Sequence, residues 1–241
     1  MTPGAAEATR GPSAVRAVLF LDGSYEEAAF YRTLGEAAGL LVAADGGARR
    51  VLELGLTPDL VVGDFDSLDA GSLGILAAAD VELVRHPRRK DQTDGELAVD
   101  EALRRGATEL VLVGALGALD HTLGHLAILR RLAARGVAAH LASPGLAVRA
   151  LAAPGEARLA ARPGTRVSVV PLDGEAVVTL EGLDYLLDHG VLSSHACLGL
   201  GNAVAAGALA RVQVHEGSVV VLVEDGAETF AAPAPAAGIV A

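Results

Sequence analysis

Two carboxylates that directly follow an apolar run are the residues of this chain best placed to do chemistry. Asp64 and Asp66 come after the run Leu60–Val62 and are separated by Phe65. Because side chains alternate along a strand, residues at i and i+2 return to the same side, where two like charges repel unless a cation lies between them. Mg²⁺ takes hard oxygen ligands of this kind and leaves its other positions to water and substrate phosphate. The alternative is a polar turn in which an Asp caps the next helix, and the spacing alone does not separate the two.

The elements that must position these acids follow from the hydrophobic pattern of the first half of the chain. Short apolar runs predict the strands Ala17–Leu21, Leu40–Ala44, Leu60–Val62, Glu82–Arg85, Leu110–Val113 and Ala138–Ala142. Longer amphipathic segments between them predict helices near Tyr25–Ala38, Ala48–Leu54, Ala70–Ala79, Asp94–Arg105 and His121–Arg135. Regular β-α alternation is typical of an α/β fold with a mostly parallel, Rossmann-like sheet and flanking helices on both faces.

In such a sheet, the aspartates that follow the strands come to one edge, where ligands bind beyond the carboxyl ends of the strands. These aspartates are Asp22, Asp45, Asp64, Asp66, Asp91, Asp94 and Asp120. Most of them also have an ordinary interpretation, as a turn residue, as a charge in the first turn of a helix or, for Asp120, as a helix N-cap. Solvated acids would scatter over both edges of the sheet and over the outer helix faces. The collection therefore indicates a site for a cation and phosphate.

Two glycine-containing turns are candidates for contact with a phosphate or a nucleotide. Asp45 leads Gly46 and Gly47 at a strand-to-helix turn, which is either an ordinary turn or a place where backbone N–H groups approach a phosphate. Gly114 and Gly117 lie in a second turn of small residues, after the fifth predicted strand, which allows close backbone approach. The second turn is neither a P-loop nor a G-x-G-x-x-G fingerprint.

Polar residues near two predicted helix starts lie at the same edge. Thr93 and Glu96 fit a capping box at the start of the fourth helix. His121 and His125 are spaced i, i+4 on the next helix, but the sequence pattern offers no third ligand, and we interpret them as helix-surface or site-lining residues. The basic segment Arg85–Lys90 is either a solvated loop or a group of cations that holds a polyphosphate.

The composition favours a protein with an aliphatic core and an acidic surface. Of 241 residues, 51% are hydrophobic but only 3% are aromatic, and 30 acidic residues outnumber 19 basic ones, for a formal net charge of −11. This balance argues against a nucleic-acid partner. The single cysteine, Cys197, excludes an internal disulfide and fits a reducing cytoplasm. No apolar run is long enough to predict a membrane span.

After about residue 154 the pattern changes to short β-like runs, which predict a small all-β sandwich or barrel. The predicted strands are Arg166–Val170, Val177–Leu180, Val191–Ser194, Leu209–His215 and Ser218–Val223. We therefore expect a disordered lead-in (1–14), an α/β domain (15–150), a β domain (151–230) and a flexible tail (231–241).

Four motifs, taken in order, resemble the thiamine pyrophosphokinase family. They are Asp45-Gly46-Gly47-Ala48; Pro58-Asp59-Leu60 running into Gly63-Asp64-Phe65-Asp66-Ser67; Lys90-Asp91-Gln92-Thr93-Asp94; and Gly114-Ala115-Leu116-Gly117 followed by Leu119-Asp120-His121. The resemblance is strong over roughly residues 45–125 and weaker in the second half, where it runs through Gly182-Leu183 and Leu198-Gly199-x-Gly201-Asn202. Each motif alone is unspecific, but their order and spacing together are specific.

The resemblance implies an α/β catalytic domain for ATP and Mg²⁺, followed by a β domain that binds thiamine. It also implies a homodimer with active sites between the subunits. The implied reaction converts ATP and thiamine into AMP and thiamine diphosphate, with the thiamine hydroxyl attacking the β-phosphorus of ATP. Catalysis of such a transfer depends on positioning and on charge neutralisation by Mg²⁺.

The resemblance further implies roles for individual residues. Asp64, Asp66 and Asp91 would hold Mg²⁺ and the polyphosphate, and Asp120 would be a further catalytic residue that orients the hydroxyl or serves as a base. Tyr185 would stack on thiamine. The implied nucleotide contacts are Asp45, Gly46, Gly47, Thr93, Asp94, Gly114, Gly117 and His121, and the implied thiamine contacts are Tyr185, Gly199 and Asn202.

Two departures from the family pattern keep other functions open. The family's Gly-Gly-Arg loop is one residue short here and lacks its Arg before Leu119. Arg88, Arg89 and Lys90 are candidates to supply the missing phosphate contact. Hydroxyl side chains that are usual in the β domain are absent from Cys197–Asn202. The alternatives are a diphosphokinase for another small alcohol such as a hydroxymethylpterin, an aspartyl-phosphate-type phosphatase, and a nucleotide-binding protein without turnover.

Overall fold

A computed structural model of the protein describes residues 14–88, 91–207, 209–224 and 229–230. Residues 1–13 of the predicted lead-in and the whole predicted tail lie outside the described residues, as do Arg89 and Lys90. Within the described ranges, no helix has the length and the apolar character needed to cross a membrane.

Strands and helices alternate through the first half of the chain, as predicted. The strands are β1 (Val15–Phe20), β2 (Leu40–Ala44), β3 (Leu60–Gly63), β4 (Glu82–Arg85), β5 (Ala107–Val113) and β6 (Ala138–Ser143). The helices are α1 (Ala28–Glu36), α2 (Gly47–Glu53), α3 (Ala70–Ala78), α4 (Asp94–Arg104) and α5 (Leu119–Ala134). The later strands are β7 (Leu146–Ala152), β8 (Gly155–Leu159), β9 (Arg166–Val170), β10 (Glu175–Glu181), β11 (Leu187–Ser193), β12 (Asn202–Ala203), β13 (Ala210–Glu216) and β14 (Ser218–Val223).

The strands of the first half form the parallel part of a large mixed sheet. They lie side by side in the order β4-β3-β2-β1-β5-β6, and each neighbouring pair is parallel. Helices cover both faces: α4 and α5 pack with one set of alternating residues of β1, such as Leu19, and α1, α2 and α3 pack with the other set, such as Phe20. The carboxyl ends of these strands therefore lie at one edge, as a site built from strand ends requires.

The sheet continues beyond β6 with strands from the second half of the chain. β7 pairs antiparallel with β6, and β14, β9 and β12 follow in that order. β11, β10, β13 and β8 form a separate four-stranded antiparallel sheet. Aliphatic residues from both sheets, including Val167, Val178, Val212 and Val221, form a common buried core. The second half is therefore a set of β-strands packed in two layers.

The predicted α/β class is confirmed, and the sheet as a whole is mixed. The sequence did not predict β7 or β8, because β7 is apolar apart from Arg149 and shows no alternation, and both strands follow their neighbours after very short turns. The predicted boundary near residue 150 falls inside β7, and strands from both sides of it share one sheet. Hydrophobic periodicity predicts strands but not their partners. The division into two domains stays a prediction.

Candidate active site

Three aspartates converge at the carboxyl edge of β2 and β3. Asp45 follows β2, and Asp64 and Asp66 follow β3, which is the hydrogen-bonded neighbour of β2. One carboxylate oxygen from each residue lies within 4.8 Å of the other two. Such oxygens are the hard donors that Mg²⁺ prefers, so the donor set fits this ion. Among the described residues Asp91 is not part of the group, whereas Asp45, which the motifs associate with the nucleotide, belongs to it.

The turn after β3 is folded around these carboxylates. Asp45 Oδ1 accepts a hydrogen bond from the backbone N–H of Phe65 at 3.0 Å, and Asp64 Oδ1 accepts one from the N–H of Asp66, also at 3.0 Å. Asp45 and Phe65 have φ angles of 42° and 66°, in the left-handed region that non-glycine residues rarely adopt. Backbone strain of this kind persists where surrounding contacts enforce it, and it clusters at functional sites. The hydrogen bonds thus hold a strained turn that keeps the carboxylates together.

Two arginines bring positive charge to the same edge of the sheet. Arg88 Nε lies 3.2 Å from Asp66 Oδ2, and Arg85 Nη1 donates to the carbonyl oxygen of Asp64 at 2.7 Å. Arg85 also lies over the Phe65 ring, 4.7 Å from its centroid, which restricts its direction. The Arg88 side chain is 82% exposed. An exposed ion pair contributes little to stability, so Arg88 can exchange its carboxylate for a ligand phosphate at small cost.

A cleft of about 960 Å³ opens beside the carboxylates. Its described lining comes mainly from the carboxyl ends of β1, β2 and β5 and from α4 and α5. Asp45 lines this cleft and also belongs to the carboxylate group, so the two features form one site. A concave volume of this size suits a small organic ligand such as a nucleotide. The predicted site residues along its wall are Asp45, Thr93, Asp94, Gly114, Gly117, Asp120 and His121.

Glycines allow close backbone approach at the ends of β1 and β5. Gly46 is the N-cap of α2 and Gly47 its first residue, and a Cβ on Gly47 would lie 2.1 Å from the Phe20 carbonyl oxygen. Gly114 has a φ of 65°, and a Cβ there would lie 2.3 Å from the Tyr25 hydroxyl. That hydroxyl donates to the carbonyl oxygen of the residue after β1 at 2.6 Å, and burial raises the pKa of Tyr25. The buried phenol therefore stays protonated and helps to fix the strand ends beneath the cleft.

The starts of α4 and α5 are built differently. The Thr93 hydroxyl accepts from the Glu96 N–H at 3.2 Å and the Glu96 carboxylate accepts from the Thr93 N–H at 3.0 Å, which confirms the predicted capping box. The interpretation of Asp120 as the N-cap of α5, one of the two that the sequence left open, is wrong, because α5 begins at Leu119, two residues before the predicted start, and its N-cap is Ala118. Asp120 lies in the first turn, where its Oδ1 accepts from the His121 N–H at 2.8 Å. Its carboxylate is therefore a wall group of the cleft rather than a cap.

Arg131 is a cleft residue that sequence reasoning missed. It lines the cleft from the far end of α5, and its guanidinium lies 3.6 Å from Glu96 Oε1 and 3.8 Å from Asp100 Oδ1. Helical spacing could have found it, because Asp120, Gly124 and Arg131 are separated by four and seven residues and share one helix face. The cleft thus contains a cation whose charge is partly balanced by two acids of α4.

The sequence of the first half matches known proteins. Residues 31–141 match the family model for the catalytic domain of thiamin pyrophosphokinase. Over 91 residues the chain is 33% identical to a thiamine pyrophosphokinase of Bacillus subtilis (strain 168), and the matched segment covers 37% of this chain and 42% of that protein. These matches confirm that the chain resembles the thiamine pyrophosphokinase family over its first half.

Solved structures of thiamine pyrophosphokinases extend this likeness into the second half of the chain. The crystal structure from Bacillus subtilis has a TM-score of 0.75 at 21% identity and covers 87% of this chain and 99% of that one. The structure from Geobacillus thermodenitrificans has a TM-score of 0.74 at 25% identity and covers 89% of this chain and 99% of that one. The fold is therefore shared over nearly the whole length of these proteins, including strands that the sequence match does not reach.

The residues that match the thiamine pyrophosphokinase pattern in the second half lie outside the cleft. Asn202 is buried: its Nδ2 donates to the Tyr185 carbonyl oxygen at 2.7 Å, and its Oδ1 accepts from the N–H groups of Tyr185 at 3.0 Å and Ala203 at 2.9 Å. A Cβ on Gly199 would lie 1.8 Å from the carbonyl oxygen of Val169 in β9. Asn202 and Gly199 therefore have structural roles that the sequence did not predict.

Tyr185 is the member of this group that is open to a ligand. Its side chain is 76% exposed, and its backbone is held by Asn202 through both the N–H and the carbonyl oxygen. The described residues that line the cleft come only from the first half of the chain. Within one copy of the chain, the structure therefore does not bring Tyr185 to the carboxylates.

Proposed function

We propose that the protein transfers a diphosphoryl group from ATP to the hydroxyl of thiamine and releases thiamine diphosphate and AMP. The observation that carries this proposal is the convergence of Asp45, Asp64 and Asp66 beside a cleft of nucleotide size, in a chain whose residues 31–141 match the catalytic domain of thiamin pyrophosphokinase. Transfer of a phosphoryl-type group asks little covalent chemistry of the protein and depends on positioning and charge stabilisation. Carboxylates that hold a cation support charge stabilisation, and glycine turns that phosphates can approach support positioning.

Asp45, Asp64 and Asp66 are the proposed ligands of Mg²⁺, and Asp91 is proposed to complete the set. When bound, Mg²⁺ neutralises charge on the polyphosphate and polarises its oxygens. The support for the first three is their convergence. Asp91 is exposed and lies just before the Thr93 cap of α4, so the rigid start of that helix fixes the chain next to it.

ATP is proposed to lie in the cleft, with its phosphates toward the carboxylates. The turn Gly114–Gly117 lines the cleft and offers backbone that a phosphate can approach. Gly46 and Gly47 stay proposed contacts, although both are buried and neither is among the described residues that line the cleft. Arg88 supplies an exposed positive charge beside Asp66. The other proposed nucleotide contacts at the cleft wall are Thr93, Asp94 and His121.

Asp120 is proposed to orient the thiamine hydroxyl by accepting its hydrogen bond. The thiamine oxygen bonds to the β-phosphorus, the bond from that phosphorus to the oxygen shared with the α-phosphorus breaks, and AMP leaves with that oxygen. Asp120 receives the hydroxyl proton as the new bond forms. Because an ordinary alcohol is a poor acid, we assign more of the rate enhancement to positioning than to base catalysis.

We further propose that the active site is completed between two copies of the chain. The described cleft wall belongs to the first half, whereas Tyr185 is exposed in the second half and suits stacking on a cationic thiazolium ring. Large apolar side chains of the same half are more than half exposed, which favours burial against a partner. These are Leu186, Val191, Leu198, Leu200 and Leu209.

The decisive experiment measures AMP formation by the purified protein with ATP, thiamine and Mg²⁺. We expect AMP to appear only when thiamine and Mg²⁺ are both present, in amounts equal to the thiamine diphosphate formed. AMP formation without thiamine, or ADP as the product, would contradict the proposal. Release of phosphate from a monoester without ATP would point instead to a phosphatase.

A further inference from the structure

His125 joins the glycine turn after β5 to helix α5. Its Nδ1 lies 2.6 Å from the carbonyl oxygen of Ala115, which is buried in that turn. A carbonyl oxygen can only accept, so the proton of the neutral ring must lie on Nδ1. The other ring nitrogen, Nε2, is then an unprotonated acceptor. The tautomer of His125 is thus fixed by a backbone group.

The surroundings of the ring favour its neutral form. Burial lowers the pKa of His125, and this effect is larger than the opposing effect of the hydrogen bond to Ala115. The nearby His121 lowers the pKa further. The two imidazole rings lie 6.4 Å apart, centroid to centroid. At neutral pH the ring therefore offers a lone pair, and not a positive charge, at Nε2.

The Nε2 atom lies next to a second cleft-lining residue, Gly95. His125 and Gly95 both line the cleft, and a Cβ built on Gly95 would lie 3.9 Å from Nε2 and 3.4 Å from Leu21 Cδ2. Within the part of the chain that the structure describes, no protein group donates a hydrogen bond to Nε2. A partly buried acceptor in a cleft wall is satisfied only by water or by a donor on the ligand.

We propose that His125 is a ligand-contacting residue that accepts, through Nε2, a hydrogen bond from an O–H or N–H group bound in the cleft, while Nδ1 holds the glycine turn. This inference rests on the proposed function, because the donor is then either the hydroxyl of the acceptor alcohol or the amino group of the ATP base. Both sources share one chemistry, a neutral hydrogen-bond donor, and kinetics can separate them.

Two substitutions separate the two ring nitrogens. In His125→Asn, the amide N–H can replace Nδ1–H as the donor to Ala115, but no acceptor remains at the position of Nε2. In His125→Gln, the longer side chain can place its amide oxygen near the Nε2 position, while the donor to Ala115 is lost. We expect His125→Asn to melt near the wild-type temperature and His125→Gln to melt lower.

The substrate affected identifies the donor. We expect His125→Asn to raise the KM of one substrate about threefold to tenfold, the effect of one neutral hydrogen bond, and His125→Gln to raise it less. If the donor is the adenine amino group, the affected KM is that of ATP, and His125→Asn loses the preference of the wild type for ATP over inosine triphosphate. If the donor is the hydroxyl of thiamine, the affected KM is that of thiamine, and the nucleotide preference is unchanged.

A steric variant tests the same space without altering His125. Gly95→Ala places a methyl group next to Nε2 at ordinary contact distance and favours the helix, so the fold should tolerate it. We expect the KM of the same substrate to rise. If His125→Asn and Gly95→Ala both keep the wild-type KM for ATP and for thiamine, the inference is wrong. If the wild type forms no thiamine-dependent AMP, the proposed function is wrong instead. Calorimetric measurement of ATP binding to the wild type and to His125→Asn would still decide whether His125 contacts the nucleotide.

Discussion

The Asp45 carboxylate accepts a hydrogen bond from the backbone N–H of Phe65 at 3.0 Å, across the gap between the ends of β2 and β3. Both residues have left-handed backbone conformations. This bond links the glycine turn that begins α2 to the turn that carries Asp64 and Asp66. It therefore makes Asp45 both a structural anchor and a member of the carboxylate group.

The two roles of Asp45 can be separated by substitution. Asp45→Asn keeps an oxygen that can accept from Phe65 and removes the negative charge, so we expect near wild-type stability and a kcat lowered about 10-fold to 100-fold. Asp45→Ala leaves the Phe65 N–H without its partner, and we expect a further loss of about 1–3 kcal/mol in the free energy of unfolding. Urea unfolding and AMP release measure the two effects. Equal stability of both variants would show that the bond does not support the turn.

A neighbouring aspartate provides a matched control for the proposed metal ligands. Asp69 caps α3 by accepting from the Ser72 N–H at 2.8 Å, and these hydrogen bonds lower its pKa. We expect Asp69→Ala to lower the melting temperature and keep AMP formation. Asp64→Asn should lower AMP formation more than about 100-fold, because it removes a negative charge from the site. It should change the melting temperature little, because it removes no helix cap. The reverse pattern would mean that Asp64 is a structural turn residue.

Asp66→Asn and Asp91→Asn extend this comparison to the other proposed ligands. We expect both to lower kcat and to raise the Mg²⁺ concentration needed for half-maximal activity, because each removes one negative charge from the site. Titration of activity with Mg²⁺ measures that concentration. If Asp91→Asn responds to Mg²⁺ as the wild type does, Asp91 lies outside the metal site.

The proposed sharing of the active site predicts complementation between two impaired variants. Tyr185→Ala removes an exposed ring and should raise the KM of thiamine without altering the fold. A Tyr185→Ala chain mixed with an Asp64→Asn chain can form a mixed dimer in which one of the two sites has both residues intact. At a thiamine concentration far below the raised KM, we expect the mixture, after unfolding and refolding together, to regain up to about a quarter of the wild-type activity on statistical grounds. No gain above the separate variants would argue that each site lies within one chain.

Stability should depend on pH through an ion-pair group in the second sheet. Arg211 Nη2 and Arg158 Nε lie 2.7 Å and 3.0 Å from the Glu156 carboxylate, and they lower its pKa from an ordinary 4.5 to about 2. Because the folded pKa is the lower one, the stabilisation is complete above pH 4.5 and is lost as the pH falls toward 2. We expect Glu156→Gln to be less stable than the wild type at pH 7, with the difference shrinking at pH 3.

The control for this prediction is Glu175→Gln, which alters an exposed glutamate of β10. Urea unfolding at the two pH values should show no comparable change for that variant. If Glu156→Gln lowers the free energy of unfolding by the same amount at pH 3 and pH 7, then packing of the side chain, and not its charge, stabilises this part of the second sheet.

Local chemistry in the sequence was enough to predict several parts of the site. The alternation of strands and helices followed from hydrophobic periodicity, and the capping box at Thr93 followed from residue types three positions apart. Asp64 and Asp66 became candidates from an apolar run and a two-residue spacing, and the aspartates after the other predicted strands favoured a cation site over a polar turn. Each of these features depends on interactions within a few residues, which a sequence displays directly.

Only the tertiary structure determined which distant groups meet. The convergence of Asp45 with Asp64, the bonds from Asn202 to the backbone of Tyr185, and the bond from His125 to Ala115 join positions that no local pattern relates. The pairing of β7 with β6, which carries the sheet into the second half, is of the same kind. The sequence by itself determined the elements and the acids at their ends, because these follow from periodicity and spacing. The folded chain decided which acids share a cation, because that depends on which strands become neighbours.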